Sequence, residues 1–415
     1  MKKQSRKAVV LSILSIALFF FSCKKEPAET LPVAPVPITL TTDQVSLIAS
    51  ENSFALDIFR NVVANSEESE NIIISPLSIS SALSMTLNGS GTTTRTAMLD
   101  ALRMKGLTTD IINNSYKDLT NALLSVDKRV LISIANSVWI ENNFVVKKPF
   151  TDILTNYYSA DYKSFNISDP QVPAQVNNWI EGKTNGLIKN MIDQLDPNTV
   201  MLLANAIYFK GKWNSQFDKG KTVQGSFYKP AGTAIQVPMM KQSSEFKIYS
   251  GDGFTLAEFP YGQGNFVMDL ILPNDQNGIK NTLALIDDSS LKGWISQMNE
   301  RKTDLTFPRF KYGYKKELKE ILGNMGMGIA FTDNADFSNI SDMSTMISFV
   351  LHQAFIETNE EGTEAAAATV VGIIPTSMPA GPYILTIDHP FLYVIRETTT
   401  NTILFMGRVA DPLAN

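Results

Sequence analysis

Three observations predict a mixed α+β fold. Apolar residues at helical spacing dominate the early part of the chain, segments rich in β-branched and aromatic residues dominate the later part, and no segment recurs at a fixed period. At 415 residues with 44% hydrophobic side chains, the chain can bury one large core or two modest ones, and length alone does not decide between them. The expected organisation is an export signal over 1–22, a spacer over 23–42 and one α+β domain over 43–413.

The elements follow in order. Residues 24–42 are polar and punctuated by Pro27, Pro32, Pro35 and Pro37, so they cannot propagate a helix and are expected to form an extended spacer. Leu47, Phe54, Ile58, Phe59 and Val62 then fall near helical spacing and predict an amphipathic first helix. Ser75 followed by Pro76 opens a second helix, because a serine hydroxyl caps free amides and proline suits the first turn. That helix should stop at Gly89, Ser90 and Gly91. Strands are expected over 130–140, 202–209, 266–272, 383–387, 391–395 and 402–409.

Composition removes several function classes. The formal net charge is −5, with both signs interspersed, so no sustained positive field exists to hold a nucleic acid. Cys23 is the single cysteine, which leaves the remainder of the chain without a thiol for a disulfide, a zinc site or nucleophilic attack. Only His352 and His389 could supply imidazole, and neither sits in a recognisable catalytic motif, so an enzyme is not expected. No cofactor and no metal are expected.

Lys2, Lys3, Arg6 and Lys7 precede an apolar run from Ala8 to Phe21, too short for a span of about 20 residues but suited to a signal-peptide core. Ser22 before Cys23 resembles the lipobox of bacterial lipoproteins, although Phe20 replaces the usual leucine. The resemblance implies lipidation of Cys23 and anchoring to the outer membrane, on its periplasmic face or at the cell surface. The alternative is an ordinary secretory signal with an incidental cysteine, and either reading exports the protein.

Several blocks, in order, resemble the serpin family: NIIISPLSISSALSM (71–85), NNWIEGKTNG (177–186), LANAIYFKGKW (203–213), then 308–322, 355–368 with its NEEGTEAAAAT stretch, and 388–408. The resemblance implies three β-sheets and about nine helices, with a metastable large sheet and an exposed reactive loop. It also implies a monomer that traps a target serine protease as a covalent acyl-enzyme when the cleaved loop inserts into that sheet. Membrane contact is expected only through an N-terminal lipid.

The residues themselves permit such an insertion. If the segment from Thr363 becomes a strand, then Thr363, Ala365, Ala367, Thr369, Val371 and Ile373 share one face, and every one is small or apolar and uncharged. The other face carries Glu364, Ala366, Ala368, Val370 and Gly372, so the only charge points to solvent and none need be buried at a cost of several kcal/mol. On propensity alone the alanine run after Glu360 and Glu361 also reads as a helix. Inserting 363–376 at about 3.3 Å per residue would carry an attached protease about 45 Å, roughly twice the ~21 Å radius of gyration of such a domain.

Further roles come from the resemblance. It makes Glu360, Glu361, Gly362, Thr363, Glu364, Ala365, Ala366, Ala367, Ala368 and Thr369 the loop's hinge, and puts the reactive bond between Thr376 and Ser377. The stretch from Ser377 to Pro390 is longer than in familiar members, which leaves Met378 as the alternative acyl donor. A small β-branched Thr376 suits elastase-like and subtilisin-like pockets, and 363–387 contains no lysine, arginine or aspartate for trypsin-like or caspase-like enzymes. Ser75, Ser78, Asn205 and His352 match the family's polar "shutter", and Trp213, Arg309 and Glu360 its "breach". Each also has an ordinary reading: helix cap, surface hydroxyl, turn residue, satisfied core histidine, core tryptophan, surface ion pair. The competing function is a non-inhibitory serpin acting as a binding or scaffold protein.

Overall fold

A computed structural model of the chain describes residues 34–363 and 381–414. Among them are nine α-helices and three hydrogen-bonded sheets, the α+β architecture expected. The first helix, Thr42–Ala64, is opened by a reciprocal capping box between Thr41 and Gln44, and its Leu47, Phe54, Ile58, Phe59 and Val62 are all buried. The second, Pro76–Leu87, is capped by the Ser75 side chain and is buried on nearly every side. A helix with apolar and small residues all round can be stable only when enclosed. This one packs against both Ile403–Val409 and Met201–Lys212.

The largest sheet has nine strands. Its path runs Ile72–Ile74, Ile403–Val409, Phe391–Glu397, Phe266–Pro273, Phe254–Tyr261, Ala234–Ser250, Asn299–Pro308 and Tyr383–Thr386, with Val223–Tyr228 joined to Ala234–Ser250. Pairing is antiparallel except where Tyr383–Thr386 meets Asn299–Pro308. Phe266–Pro273, Phe391–Glu397 and Ile403–Val409 are buried along their whole length, which explains why they are mostly apolar, and the buried Arg396 and Asp269 on two of them pair with each other.

A second sheet orders Gly362–Thr363, Met201–Lys212, Val130–Glu141 and Asp161–Phe165, and a third pairs Phe310–Glu317 with Leu351–Thr358. Met201–Lys212 is covered on both faces. Ile207 and Phe209 belong to the main core, whereas Leu202, Ala204 and Ala206 pack in a smaller cluster with Val176 and Ile180 of the helix Val172–Lys183.

All six expected strands are present, within a few residues at their ends. Sequence reading missed Ile72–Ile74, Asp161–Phe165, Val223–Tyr228, Ala234–Ser250, Phe254–Tyr261, Asn299–Pro308, Phe310–Glu317 and Leu351–Thr358. Several of these are rich in lysine, glutamate and glutamine, residues with weak strand propensity that tertiary pairing overrides. A second difference concerns the spacer. Its last residues are fastened to the body: Val36 N–H donates to Asn265 Oδ1 and Asn265 Nδ2 donates to the Val36 carbonyl, both at 2.8 Å, and Ile38 N–H reaches Thr399 Oγ1 at 3.1 Å. An extended segment leaves its backbone groups free, so a buried asparagine can satisfy both groups of one residue. Among the described residues, no helix is long and apolar enough to cross a membrane.

Candidate functional site

The residues expected to form the shutter meet in one buried chain of hydrogen bonds. Ser75 N–H donates to His352 Nε2 at 3.1 Å, and Ser75 Oγ both donates to the Leu404 carbonyl at 2.8 Å and accepts from Ser78 N–H at 3.3 Å. Ser78 Oγ donates to Asn205 Oδ1, and Asn205 Nδ2 donates to Asn136 Oδ1 at 2.6 Å. Asn136 Nδ2 continues to the Tyr158 carbonyl at 2.7 Å. Asn136 was not found from sequence, because only the strand register, which sets it directly opposite Asn205, brings it here. Asn205 itself lies inside a strand and not at a turn or bulge.

His352 is buried and neutral in this setting. Burial pushes its imidazole down to about 4, since a charged ring would lose its hydration and gain no counter-charge. Accepting the Ser75 amide fixes the proton on Nδ1. His389 contacts Asp388 Oδ1 at 2.8 Å and the Pro273 carbonyl at 2.7 Å, two acceptors that occupy both ring nitrogens as donors. Burial opposes protonation of His389, but Asp388 and that carbonyl prevail and hold its value above the ordinary one. Among the described residues no group of histidine, cysteine, aspartate and glutamate side chains is arranged to hold a metal ion.

The breach residues form a second cluster at the far end of Met201–Lys212. Trp213 stacks on Tyr261 with ring centroids 4.4 Å apart, and its indole N–H donates to the Asn359 carbonyl at 2.9 Å. Arg309 Nε donates to Glu360 Oε1 at 2.7 Å, and Thr222 Oγ1 donates to the same oxygen. Burial raises the Glu360 carboxyl, but these two donors outweigh it and hold the group below the usual range. Lys219 pairs with Glu361 Oε1, while Glu361 Oε2 is buried with no hydrogen-bond partner. Thr222, Lys219, Asn359 and Tyr261 carried no local sequence signal for this role.

At the breach the chain reverses. After Leu351–Thr358, Asn359 and Gly362 form an antiparallel bridge, and Gly362 and Thr363 then pair with Lys212 and Gly211. Gly362 has φ +133°, and a Cβ on it would lie 2.3 Å from the Gly211 carbonyl oxygen, so any other residue would force the two strands apart. Thr363 is 5% exposed and its hydroxyl lies 3.1 Å from that of Tyr261. The first residue of the expected inward face therefore points inward. Residues 364–380, with the remaining hinge residues Glu364 to Thr369 and the bond between Thr376 and Ser377, lie outside the described residues, as does Cys23.

No hydrogen-bond ladder joins Met201–Lys212 to Leu351–Thr358. Between them lies a cleft of about 700 Å³, floored by Ser78, Ile79, Ala82, Leu83 and Thr86 of the second helix and bounded by Leu203, Asn205, Phe349 and His352. Chemically, the arrangement is two half-sheets with polar groups along the seam and a strand already started in it.

A family model described as Serpin (serine protease inhibitor) matches residues 49–412. The serine protease inhibitor of Cyanea capillata is 34% identical over 378 residues, covering 88% of this chain and 98% of that protein. Serpin-Z1C of Triticum aestivum is 32% identical over 397 residues, covering 90% and 98%. Among solved structures, the native state of the thermophilic serpin tengpin is similar with a TM-score of 0.81 and 29% identity, covering 91% of this chain and 97% of that one. Thyroxine-binding globulin in complex with thyroxine is similar with a TM-score of 0.79 and 28% identity, covering 88% and 99%.

Proposed function

The chain belongs to the serpin family, and from that premise we propose that it inhibits serine proteases by inserting its cleaved loop into the cleft between the two half-sheets. One observation carries the reading: Gly362 and Thr363 already run antiparallel to Met201–Lys212. Continuing that register would set Ala365 opposite Phe209, Ala367 opposite Ile207, Thr369 opposite Asn205, Val371 opposite Leu203 and Ile373 opposite Met201. Residues directly opposite in an antiparallel pair share a face. The uncharged residues of the loop would thus lie on the core side, and Glu364 would lie opposite Lys210 on the other.

In this mechanism a protease attacks the bond between Thr376 and Ser377, forms an acyl-enzyme on its own serine and is displaced before water can release it. The shutter and breach groups would act as the latch, each exchanging one set of hydrogen bonds for another as the strand enters. The small Thr376 favours elastase-like and subtilisin-like enzymes, with Met378 as the other candidate donor. Lipidation of Cys23 would tether the inhibitor, as a monomer, to the outer membrane. Loss of fatty-acid label in Cys23→Ala tests that attachment, and undiminished label would remove Cys23 as the lipid site.

The deciding experiment mixes the mature protein with an elastase-like and a subtilisin-like protease. A covalent complex that survives denaturation, with a released fragment beginning at Ser377, is the expected result. Cleavage without any such complex would overturn inhibition. A second reading, a serpin that binds a small ligand, draws on the similarity to a globulin solved with thyroxine, and it predicts that no covalent complex forms with any of these proteases.

A further inference from the structure

The opposite side of the second helix holds a buried carboxylate that the mechanism above does not use. Glu51, on Thr42–Ala64, is 4% exposed and accepts hydrogen bonds from Ser80 Oγ and Tyr116 OH. Tyr116 OH lies 2.9 Å from Ser80 Oγ. The groups facing Glu51 can be named element by element. Pro76–Leu87 contributes hydroxyls and no titratable side chain, Thr109–Ser125 contributes Tyr116, and Lys148–Tyr158 contributes Tyr158, whose ring lies 5.7 Å from that of Tyr116. Asp288 of Asp288–Ser296 meets the neighbouring Asn52 instead, and Lys319 of Lys319–Leu322 turns to the Ser348 carbonyl. Arg408 of Ile403–Val409 is taken up by the Glu67 and Glu70 carbonyls. None of the groups acting on Glu51 is a cation.

Two hydroxyl donors without a counter-charge cannot replace the hydration of a carboxylate, so burial raises the group to about 7. Both protonation states are then populated near neutrality. The position is connected to the cleft by two routes. Ser80 and Ser78 sit on opposite sides of one helix, so that helix is held between Glu51 and Asn205. From Tyr116 the second route crosses to the Tyr158 ring, whose carbonyl accepts from Asn136, the partner of Asn205.

We propose that Glu51 is a proton-operated control on the cleft: its neutral form locks the helix Pro76–Leu87 beneath the half-sheets, and its ionised form loosens that floor. An ionised carboxylate gains hydration whenever the packed helices part, whereas the neutral acid gains little, so loss of the proton favours the parted state. This control would operate whether or not the protein inhibits a protease. His352 packs on the same helix with the opposite sign, because it gains a proton on opening, so the Glu51 contribution must be read as a ratio between wild type and a variant.

The test is amide hydrogen exchange of the mature full-length protein, corrected for intrinsic rates, on wild type and Glu51→Gln. Between about pH 6 and about pH 8, the ratio of wild-type to variant exchange in Pro76–Leu87 and Met201–Lys212 should rise about tenfold, the change expected for a carboxyl near 7 when packed and near its ordinary value when parted. A ratio constant over that range overturns the proposal. So does an equal rise in Phe391–Glu397, which would mark global unfolding instead of opening at the cleft. Should Glu51→Gln fail to fold, Tyr116→Phe removes one donor to the carboxylate and should move the rise to higher pH. An unmoved profile in that variant also counts against the proposal.

Discussion

The nine-stranded sheet and the pair of half-sheets are built from the same chain by opposite rules. In the first, the Phe259, Phe307 and Phe391 rings pack together, with the centroids of Phe259 and Phe307 5.5 Å apart, and every neighbouring strand is hydrogen-bonded. In the second, a seam runs between Met201–Lys212 and Leu351–Thr358, lined by asparagine, serine and histidine side chains that can exchange partners. Close-packed apolar surfaces resist deformation, whereas polar groups with several possible partners permit two arrangements of similar energy. If the loop inserts as proposed, the change of shape falls at the polar seam and leaves the aromatic contacts of the larger sheet in place.

The contrast is broken most severely by Thr363→Arg. The first inward residue would then have to bury a guanidinium without a counter-charge, at a cost of several kcal/mol. Cleavage of the loop should continue while covalent trapping is lost, as gel analysis of protease mixtures would reveal. Trapping at the parental level would show that the seam is not where the strand enters.

Next in size is Phe307→Ala in the nine-stranded sheet, which should lower unfolding free energy by about 3–5 kcal/mol in urea titrations without abolishing insertion of a cleaved loop. A loss under about 1 kcal/mol would mean that the aromatic packing is not the stable half of the comparison.

The pH dependence sharpens it further. His352 sits near 4 in the folded state, below its ordinary 6.5, so the unfolded chain takes up the proton first as pH falls. Its contribution is fully present above about pH 6.5 and declines toward about pH 4, by up to about 3 kcal/mol. Glu51 is raised from 4.5 to about 7, so its penalty appears above its unfolded value and grows until the folded carboxyl has ionised. The slopes oppose each other over nearly the same range. Urea unfolding at several pH values should therefore show a shallow profile for wild type, a falling one with rising pH for His352→Gln and a rising one for Glu51→Gln. Parallel profiles for all three proteins would refute the pairing.

The smallest expected effect is that of Arg309→Ala at the breach. Arg309 is 42% exposed, so most of its attraction to Glu360 is screened and about 1 kcal/mol or less should be lost. What should change more is the rate at which the hinge leaves its position, measured by proteolysis of the loop.

Legibility in the sequence followed the range of the forces involved. The helix opened by Ser75 and Pro76 declares itself through local capping, and the buried strand Phe391–Glu397 through the apolar run from Phe391 to Ile395. Ala234–Ser250 does not, because Lys241, Gln242, Glu245 and Lys247 are extended only through their pairing with Asn299–Pro308. The same holds at the site. Ser75, Ser78, Asn205 and His352 could be named from a family pattern, and the structure brings them together, but Asn136, Tyr261, Thr222 and Glu51 are distant in sequence from the groups they serve. Their roles exist only once strand register and helix packing are known.

Trp213 gives the protein an optical consequence of its own. Four tryptophans absorb in this chain. The other three are engaged away from the hinge: Trp139 donates to Ser137, Trp179 to Asp161, and Trp294 packs on Tyr249 and Phe254. Trp213 alone among them stacks on the tyrosine that touches Thr363 and donates to the carbonyl of Asn359, where the chain turns into the seam. An indole's emission depends on the polarity around it and on the hydrogen bond at its nitrogen. Every displacement of that turn therefore alters the colour of light this residue emits, and the position of the loop is written into the protein's intrinsic fluorescence without any added label.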